Sequence, residues 1–229
     1  MTAQHAGDEP LLMAQRNLCP VWVGKDRVAT AHAALQAHPQ CDVVLCDDGL
    51  QHYRLRRDLE IAVIDGERGF GNGWLLPAGP LREPVSRLKF VDAIVVNGGD
   101  AASGQYEMKL EGATFYNLLN PDQTATASDF QGKANHAVAG IGNPQRYFQH
   151  LHELGITFIP HDFPDHHPYS ATELAFTDCE AVLLTEKDAV KCTAFADARY
   201  WVLRVDAHFD PGLTDLILRK IKSYGSQTA

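Results

Sequence analysis

Short apolar runs of strand length recur along this chain, with helix-like stretches between them, and few folds accommodate that rhythm. The runs are Val21–Val23, Val43–Cys46, Ile61–Ile64, Ala93–Val96, Ala137–Ile141, Thr157–Ile159, Ala181–Leu184 and Trp201–Val205. Helical patterning falls at Glu9–Leu18, Val28–His38, Pro144–Leu154, Ala171–Phe176, Lys187–Cys192 and Gly212–Ser223. A strand that is apolar on both sides must be covered on both faces, and intervening helices supply the cover. The pattern therefore predicts an α/β fold with a mostly parallel sheet and helices on both faces. Between Gly98 and Lys133 the texture turns polar and rich in Gly, Asn and Asp. A linker is expected there, dividing residues 1–118 from a smaller α/β part at 119–229. A parallel sheet seldom opens with a helix and a three-residue strand, so "AGDEPLLMAQR" reads like the interior of something longer.

Charge and composition exclude several classes. The net charge of −9 disfavours nonspecific nucleic-acid binding, so no nucleic-acid partner is expected. No apolar run approaches the roughly 18 residues of a membrane span, and the N-terminus carries no signal pattern. Five cysteines, odd in number and without ligand-like spacing, read as reduced thiols. Between Arg54 and Lys89, seven Lys/Arg face five acids, either a mixed solvated surface or a patch for an anionic ligand.

Four stretches carry candidate chemistry. In "CDVVLCDDG" an apolar strand is expected to end in Asp47 and Asp48. Ligands of open α/β sheets bind beyond the carboxyl ends of strands, and paired acids there suit Mg²⁺, which wants oxygen ligands. A plain turn, with Asp capping and Gly49 at positive φ, is the competing account. Gln51 and His52 follow and are positioned either for a substrate or for the turn's own backbone. "DGERGFGNGWLLPAGPLREP", Asp65 to Pro84, is a long loop in which Arg68 and Arg82 suit phosphate; "GFGNG" lacks dinucleotide-fingerprint spacing. "AVAGIGNPQRY" places a Gly-Ile-Gly turn before a helix starting near Pro144, either an ordinary βα turn or an anion site. "HDFPDHHPYS" gathers His161, Asp162, Asp165, His166 and His167 for a metal, a proton-transfer pair or a structural turn. In "LLTEKD", Thr185 is a plausible helix cap with Asp188 in capping-box position. No GxxxxGK[ST] sequence occurs.

The ordered series "GDEPLL", "VGKDR", "DDGLQHYRL", "DGERGFGNGWLLPAGPLREP", "VNGG", "GIGNPQRYF", "FPDHHPYS" and "TEKDAVK" resembles the tetraacyldisaccharide 4′-kinases, the lipid A 4′-kinases of Gram-negative bacteria. The likeness covers nearly the whole chain. It implies a P-loop-kinase-like α/β fold of two domains at the cytoplasmic face of the inner membrane. It implies transfer of the γ-phosphate of ATP, with Mg²⁺, to the 4′-hydroxyl of a tetraacylated disaccharide 1-phosphate, the lipid A precursor. By that resemblance Asp8 is the catalytic acid and His166 its partner in deprotonating the attacking hydroxyl. Asp47 and Asp48 hold Mg²⁺, Glu9, Gln51 and His52 line the site, and Arg82 contacts phosphate. Because Asp8 and His166 come from opposite halves of the chain, their pairing is expected to require closure of the halves over substrate.

Family members carry a P-loop and a membrane-associating helix ahead of "GDEP", and the resemblance implies that this stretch begins too late to include either. The expectation is a truncated kinase core with exposed apolar surface and little activity in isolation. Two other readings stay open: a non-catalytic lipid- or partner-binding remnant, and a metal-dependent hydrolase built on His161, Asp165, His166 and His167.

Overall fold

The computed structural model describes residues 6–225, and the chain divides into two compact units that interleave in sequence. The first comprises residues up to Val23 and Gly112–Val205; the second comprises Gly24–Glu111 and Asp206 onward. This is not a single cut at 118/119. The chain changes unit after Val23 and again within two strands, one of which, 12 residues long, lies in the stretch expected to be a linker.

The first unit holds helix α1 (Asp8–Arg16), the later part of strand β3 (Tyr106–Asn117), β4 (Thr124–Thr126), β5 (Asn135–Ala139), α3 (Pro144–Glu153), β6 (Ile159–Asp162), β7 (Ala181–Thr185), α4 (Glu186–Cys192) and the first part of β8 (Tyr200–Phe209). β5 lies between β6 and β7, parallel to both, and β7 is parallel to β8. β4 pairs antiparallel with β3. Every residue of β5 is buried, as are four of the five in β7. Alternation sends Ala137, Ala139, Ala181 and Leu183 to one face, where Tyr147, Phe148 and Leu151 of α3 cover them with Phe115 and Phe130. Val138, Val182 and Leu184 go to the other, against Tyr169, Leu174, Ala189 and Cys192. Continuous apolar strands thus meet cover on both sides, each fully buried Leu, Val or Phe contributing roughly 1.5–3 kcal/mol.

The second unit contains α2 (Arg27–Ala37), β1 (Ile61–Asp65), β2 (Ala93–Asn97), the start of β3 and α5 (Pro211–Gly225). β1, β2 and β3 run parallel. Its core is small: Ala93, Val95 and Leu213, with Ile61, Tyr106, Met108, Leu216 and Ile217 packed against them. At the carboxyl ends of β1 and β2 the backbones nearly touch, and a Cβ on Gly66 would fall 1.6 Å from the Gly98 carbonyl oxygen. Only glycine fits there.

Three expected elements do not form. Val21–Val23 and Val43–Cys46 join no ladder among the described residues. Val43, Val44 and Leu45 are 40, 48 and 85% exposed. Apolar, β-prone residues make a strand only where a neighbour takes up their backbone groups. Ala171–Phe176, a short segment following Pro168, forms turns instead of a helix.

Candidate active site

In the first unit, β5 runs into Gly140, and the "PDHH" turn folds back over it. His166 adopts a left-handed conformation, φ 61°. Its backbone N–H is accepted by the Asp165 carboxylate at 3.0 Å and by the Gly140 carbonyl at 3.3 Å. For a non-glycine residue such a conformation costs on the order of 1 kcal/mol, and these acceptors offset it. The imidazole stays 60% exposed and places Nδ1 3.0 Å from Oδ2 of Asp8, whose side chain is only 10% exposed. A carboxylate can only accept, so a ring proton lies on Nδ1, and Nε2 faces away from Asp8, 3.7 Å from the Asp165 carboxylate.

Asp8 opens α1, and the helix rests on α4 through charged contacts. Arg16 reaches Glu186 at 2.6 Å and the Val205 carbonyl at 2.7 Å; Glu9 pairs with Lys187 at 3.0 Å; Asp8 lies 3.9 Å from Lys191. Burial works against the charge of Lys187, but Glu9 and Asp165 outweigh it and lift its ammonium above the ordinary lysine value. Both members of the Asp8–His166 pair therefore belong to one unit, and their contact needs no closure between the two.

Beneath them lies a hub to which sequence reasoning gave only a helix-capping role. Asp188 is fully buried and accepts from the Gly140 N–H at 3.1 Å, the Tyr169 hydroxyl at 3.0 Å and the Thr185 hydroxyl at 2.6 Å. The Lys191 ammonium, 7% exposed, lies 2.8 Å away. Thr185 does cap α4, accepting from the Asp188 N–H at 3.1 Å. The Asp188 carboxylate, however, faces the Gly-Ile-Gly turn and so ties "GIG", "HHPY" and "TEKDAVK" together. Burial first, then the Asp188 charge, pushes the Tyr169 phenol far above its usual range, so Tyr169 keeps its proton and donates it to Asp188.

The second unit carries Asp47 and Asp48 in a turn where Asp48 has φ 49°. Both side chains are exposed. Arg57 braces the turn, donating to the Gly49 and Leu50 carbonyls at 2.9 and 2.8 Å while pairing with Glu60 at 2.7 Å. Arg87 pairs with the same glutamate at 2.6 Å. Gln51 donates to Glu83 at 3.0 Å, and the Tyr53 hydroxyl donates to the other oxygen of that carboxylate. These bonds, the tyrosine's foremost, hold Glu83 below the ordinary glutamate value. Of the basic residues counted in the sequence, Arg57 and Arg87 are thus engaged with carboxylates and carbonyls, and Arg54 and Arg56 lie 4.0 Å from Asp26 and Asp58. His52 is half-buried, and Arg82 is exposed in the long loop. That loop is ordered by its own bonds, Leu76 N–H to Leu81 at 2.8 Å and the Asn72 amide to Ala78 at 3.0 Å. Arg57, Glu60, Glu83 and Arg87 were missed because a charge count does not show which charges pair.

The histidine cluster disperses. His161 meets His136 at 2.9 Å, His167 meets Glu173 at 3.0 Å, and His166 meets Asp8. Burial, then the neighbouring His136, holds His161 below the ordinary imidazole value. Among the described residues no three His, Cys, Asp or Glu side chains gather as a metal cage, which leaves the hydrolase reading without its site.

Comparison with known proteins follows the same lines. Residues 1–222 match the family described as tetraacyldisaccharide-1-P 4′-kinase. The tetraacyldisaccharide 4′-kinase of Methylobacillus flagellatus is 49% identical over 218 residues, covering 95% of this chain and 65% of that protein. That of Pseudomonas aeruginosa is 52% identical over 206 residues, covering 90% and 62%. The crystal structure of the Aquifex aeolicus enzyme in complex with ATP superposes with a TM-score of 0.75 at 28% identity, covering 96% of this chain and 71% of that one. The chain thus spans about two thirds of the length of these relatives. The mostly parallel, helix-covered sheet is the fold of that solved kinase, and this chain belongs to the tetraacyldisaccharide-1-phosphate 4′-kinase family.

Proposed function

We propose that this chain carries the proton-accepting and metal-binding groups of a kinase that moves the γ-phosphate of ATP to the 4′-hydroxyl of a tetraacyldisaccharide 1-phosphate. The observation that carries the reading is the 3.0 Å bond from His166 Nδ1 to a nearly buried Asp8 carboxylate, on an imidazole that stays 60% exposed and whose Nε2 lies 3.7 Å from the Asp165 carboxylate. A carboxylate that fixes an imidazole in this tautomer makes the far nitrogen a general base. In the proposed step Nε2 takes the proton of the 4′-hydroxyl, and that oxygen bonds to the γ-phosphorus. The bond from this phosphorus to the β,γ-bridging oxygen breaks, and ADP leaves with the electron pair. Asp8 holds the imidazolium that results.

Asp47 and Asp48 fit Mg²⁺ through their chemistry: two exposed carboxylates on a braced turn, with no third His, Cys, Asp or Glu gathered beside them among the described residues. This ion keeps several waters and is ordinarily held by one or two carboxylates together with phosphate oxygens. Bound there with nucleotide, Mg²⁺ would supply neutralisation of charge on the phosphates. Gln51 is engaged by Glu83 and Glu9 by Lys187, so His52 and Arg82 are the remaining candidates for direct contacts with nucleotide or substrate. No helix among the described residues is long and apolar enough to cross a membrane. The lipid substrate places the proposed reaction at the cytoplasmic face of the inner membrane, with the protein bound peripherally.

The test uses the chain extended to the length of its relatives, radiolabelled ATP and the lipid disaccharide. Asp8→Ala and His166→Ala should each cut kcat by roughly 10²–10⁴-fold. Together they should cost far less than the product of the two, as groups acting as a unit do. Turnover that survives both substitutions, or losses that multiply in full, refutes the reading; an extended chain with no turnover but intact lipid binding favours the non-catalytic remnant.

A further inference from the structure

Helix α1 buries none of its residues fully; Pro10, Leu11 and Leu12 are half-buried. Charged contacts with α4 add to that packing in placing Asp8. His166 is held differently, by a strained turn whose key acceptor is the Asp165 carboxylate. One side chain touches both supports. Lys187 Nζ lies 3.0 Å from Oε1 of Glu9, the residue after Asp8, and 3.4 Å from Oδ1 of Asp165, the residue before His166. That Asp165 oxygen is the one accepting the His166 N–H.

We infer that Lys187 is a positioning residue: by tying Glu9 on α1 to Asp165 in the histidine turn, it holds Asp8 and His166 at hydrogen-bonding distance. The inference rests on the reading of that pair as the general base. Lys191, one helical turn along, does not do the same work, since its 2.8 Å contact is with Asp188 of its own helix. Lys187 is also unlike an ordinary surface ion pair, which contributes little. Its side chain is 19% exposed, it engages two carboxylates at once, and these flank the two reacting partners in mirror-image positions. A displacement of about 1 Å between groups that must share a proton is enough to cost roughly 100-fold in rate.

The test has two arms. On the chain itself, Lys187→Met should raise amide hydrogen exchange by about tenfold or more in residues 8–16 and 163–168 and leave β5 and β7 unchanged, with Lys187→Arg restoring protection. In the extended protein, Lys187→Met should lower kcat by roughly 10–100-fold while KM for ATP stays within about threefold. In a His166→Ala background the same substitution should change kcat by less than about twofold, because a clamp acts only through the pair it clamps. The inference is overturned if exchange in both segments is unaltered, or if the loss in rate persists undiminished without His166. If His166→Ala itself leaves turnover intact, the proposed reaction fails instead, and the exchange arm alone decides whether Lys187 is the clamp.

Discussion

Asp188→Asn isolates the buried charge beneath the site without changing its shape. Asp188 is 0% exposed and serves four partners: the Gly140 N–H, the Thr185 and Tyr169 hydroxyls and the Lys191 ammonium. The amide keeps one oxygen but loses the negative charge, stranding an ammonium whose other anionic neighbour, Asp8, is 3.9 Å away. Removing one partner of a buried pair costs about 3–5 kcal/mol, and hydrogen bonds to charged groups about 1.5–3 kcal/mol each, so a loss near 4 kcal/mol is expected. Lys191→Met leaves the carboxylate three donors and should cost about 2–3 kcal/mol, at or just below the bottom of that range. The double variant strands no charge, and its cost should fall short of the sum by at least about 2 kcal/mol. Urea unfolding followed by circular dichroism measures this: with a slope of about 2 kcal/mol per M, the Asp188→Asn midpoint should drop by about 2 M. A single-variant cost under about 1 kcal/mol, or a double equal to the sum within about 0.5 kcal/mol, would refute the assignment of Asp188 as the hub.

Two further outcomes concern the second unit. Arg57→Met frees the Gly49 and Leu50 carbonyls and should destabilise this unit by about 2 kcal/mol in the same urea assay. Arg57→Lys should not rescue it, because an ammonium cannot fork over two carbonyls and a carboxylate together; full rescue by lysine would argue against the brace. Glu83 is held below its ordinary value, so the unfolded chain takes up its proton more readily than the folded one. Its contribution is complete above the unfolded value and is lost as pH falls through the folded one. Glu83→Gln should therefore lower stability near neutrality and flatten the acid side of the stability–pH curve. An unchanged acid limb, read by thermal unfolding between pH 3 and 7 (roughly the carboxylate range), would exclude that role.

What the sequence makes legible follows from which forces are local. Ala181–Leu184 reads correctly as a strand because both its faces are buried, and continuous apolarity then identifies it. β3 was mistaken for linker for the opposite reason. Glu107, Lys109, Glu111 and Gly112 interrupt it, most of its residues are at least partly exposed, and its existence depends on neighbours. Val43–Leu45 fails in the converse way, with strand propensity but no ladder. The site divides similarly. Asp47, Asp48 and the "PDHH" turn are visible as chemistry, but the Asp8–His166 bond joins residues 158 apart and was suggested only by family resemblance.

Asp188, Lys187 and Lys191 were in plain view within "TEKDAVK", and their function was not. On a helix they occupy successive positions of one patch, where the bland interpretation is a solvated face with an i,i+3 pair. The available clue was the company Asp188 keeps, since Ala189, Val190 and Cys192 are all buried. A carboxylate within an apolar face must find donors, because leaving it unpaired costs several kcal/mol. Which donors it finds depends on where the strands bring Gly140 and Tyr169, and that is topology. Sequence therefore announces that a buried charge needs partners, and the fold decides that these partners are the turns presenting His166. The same carboxylate that stabilises the first unit thus also underlies the geometry of the proposed base. If so, variants at Asp188 should lose protection in residues 163–168 together with stability, whereas Lys187→Met should lose the former and keep the latter.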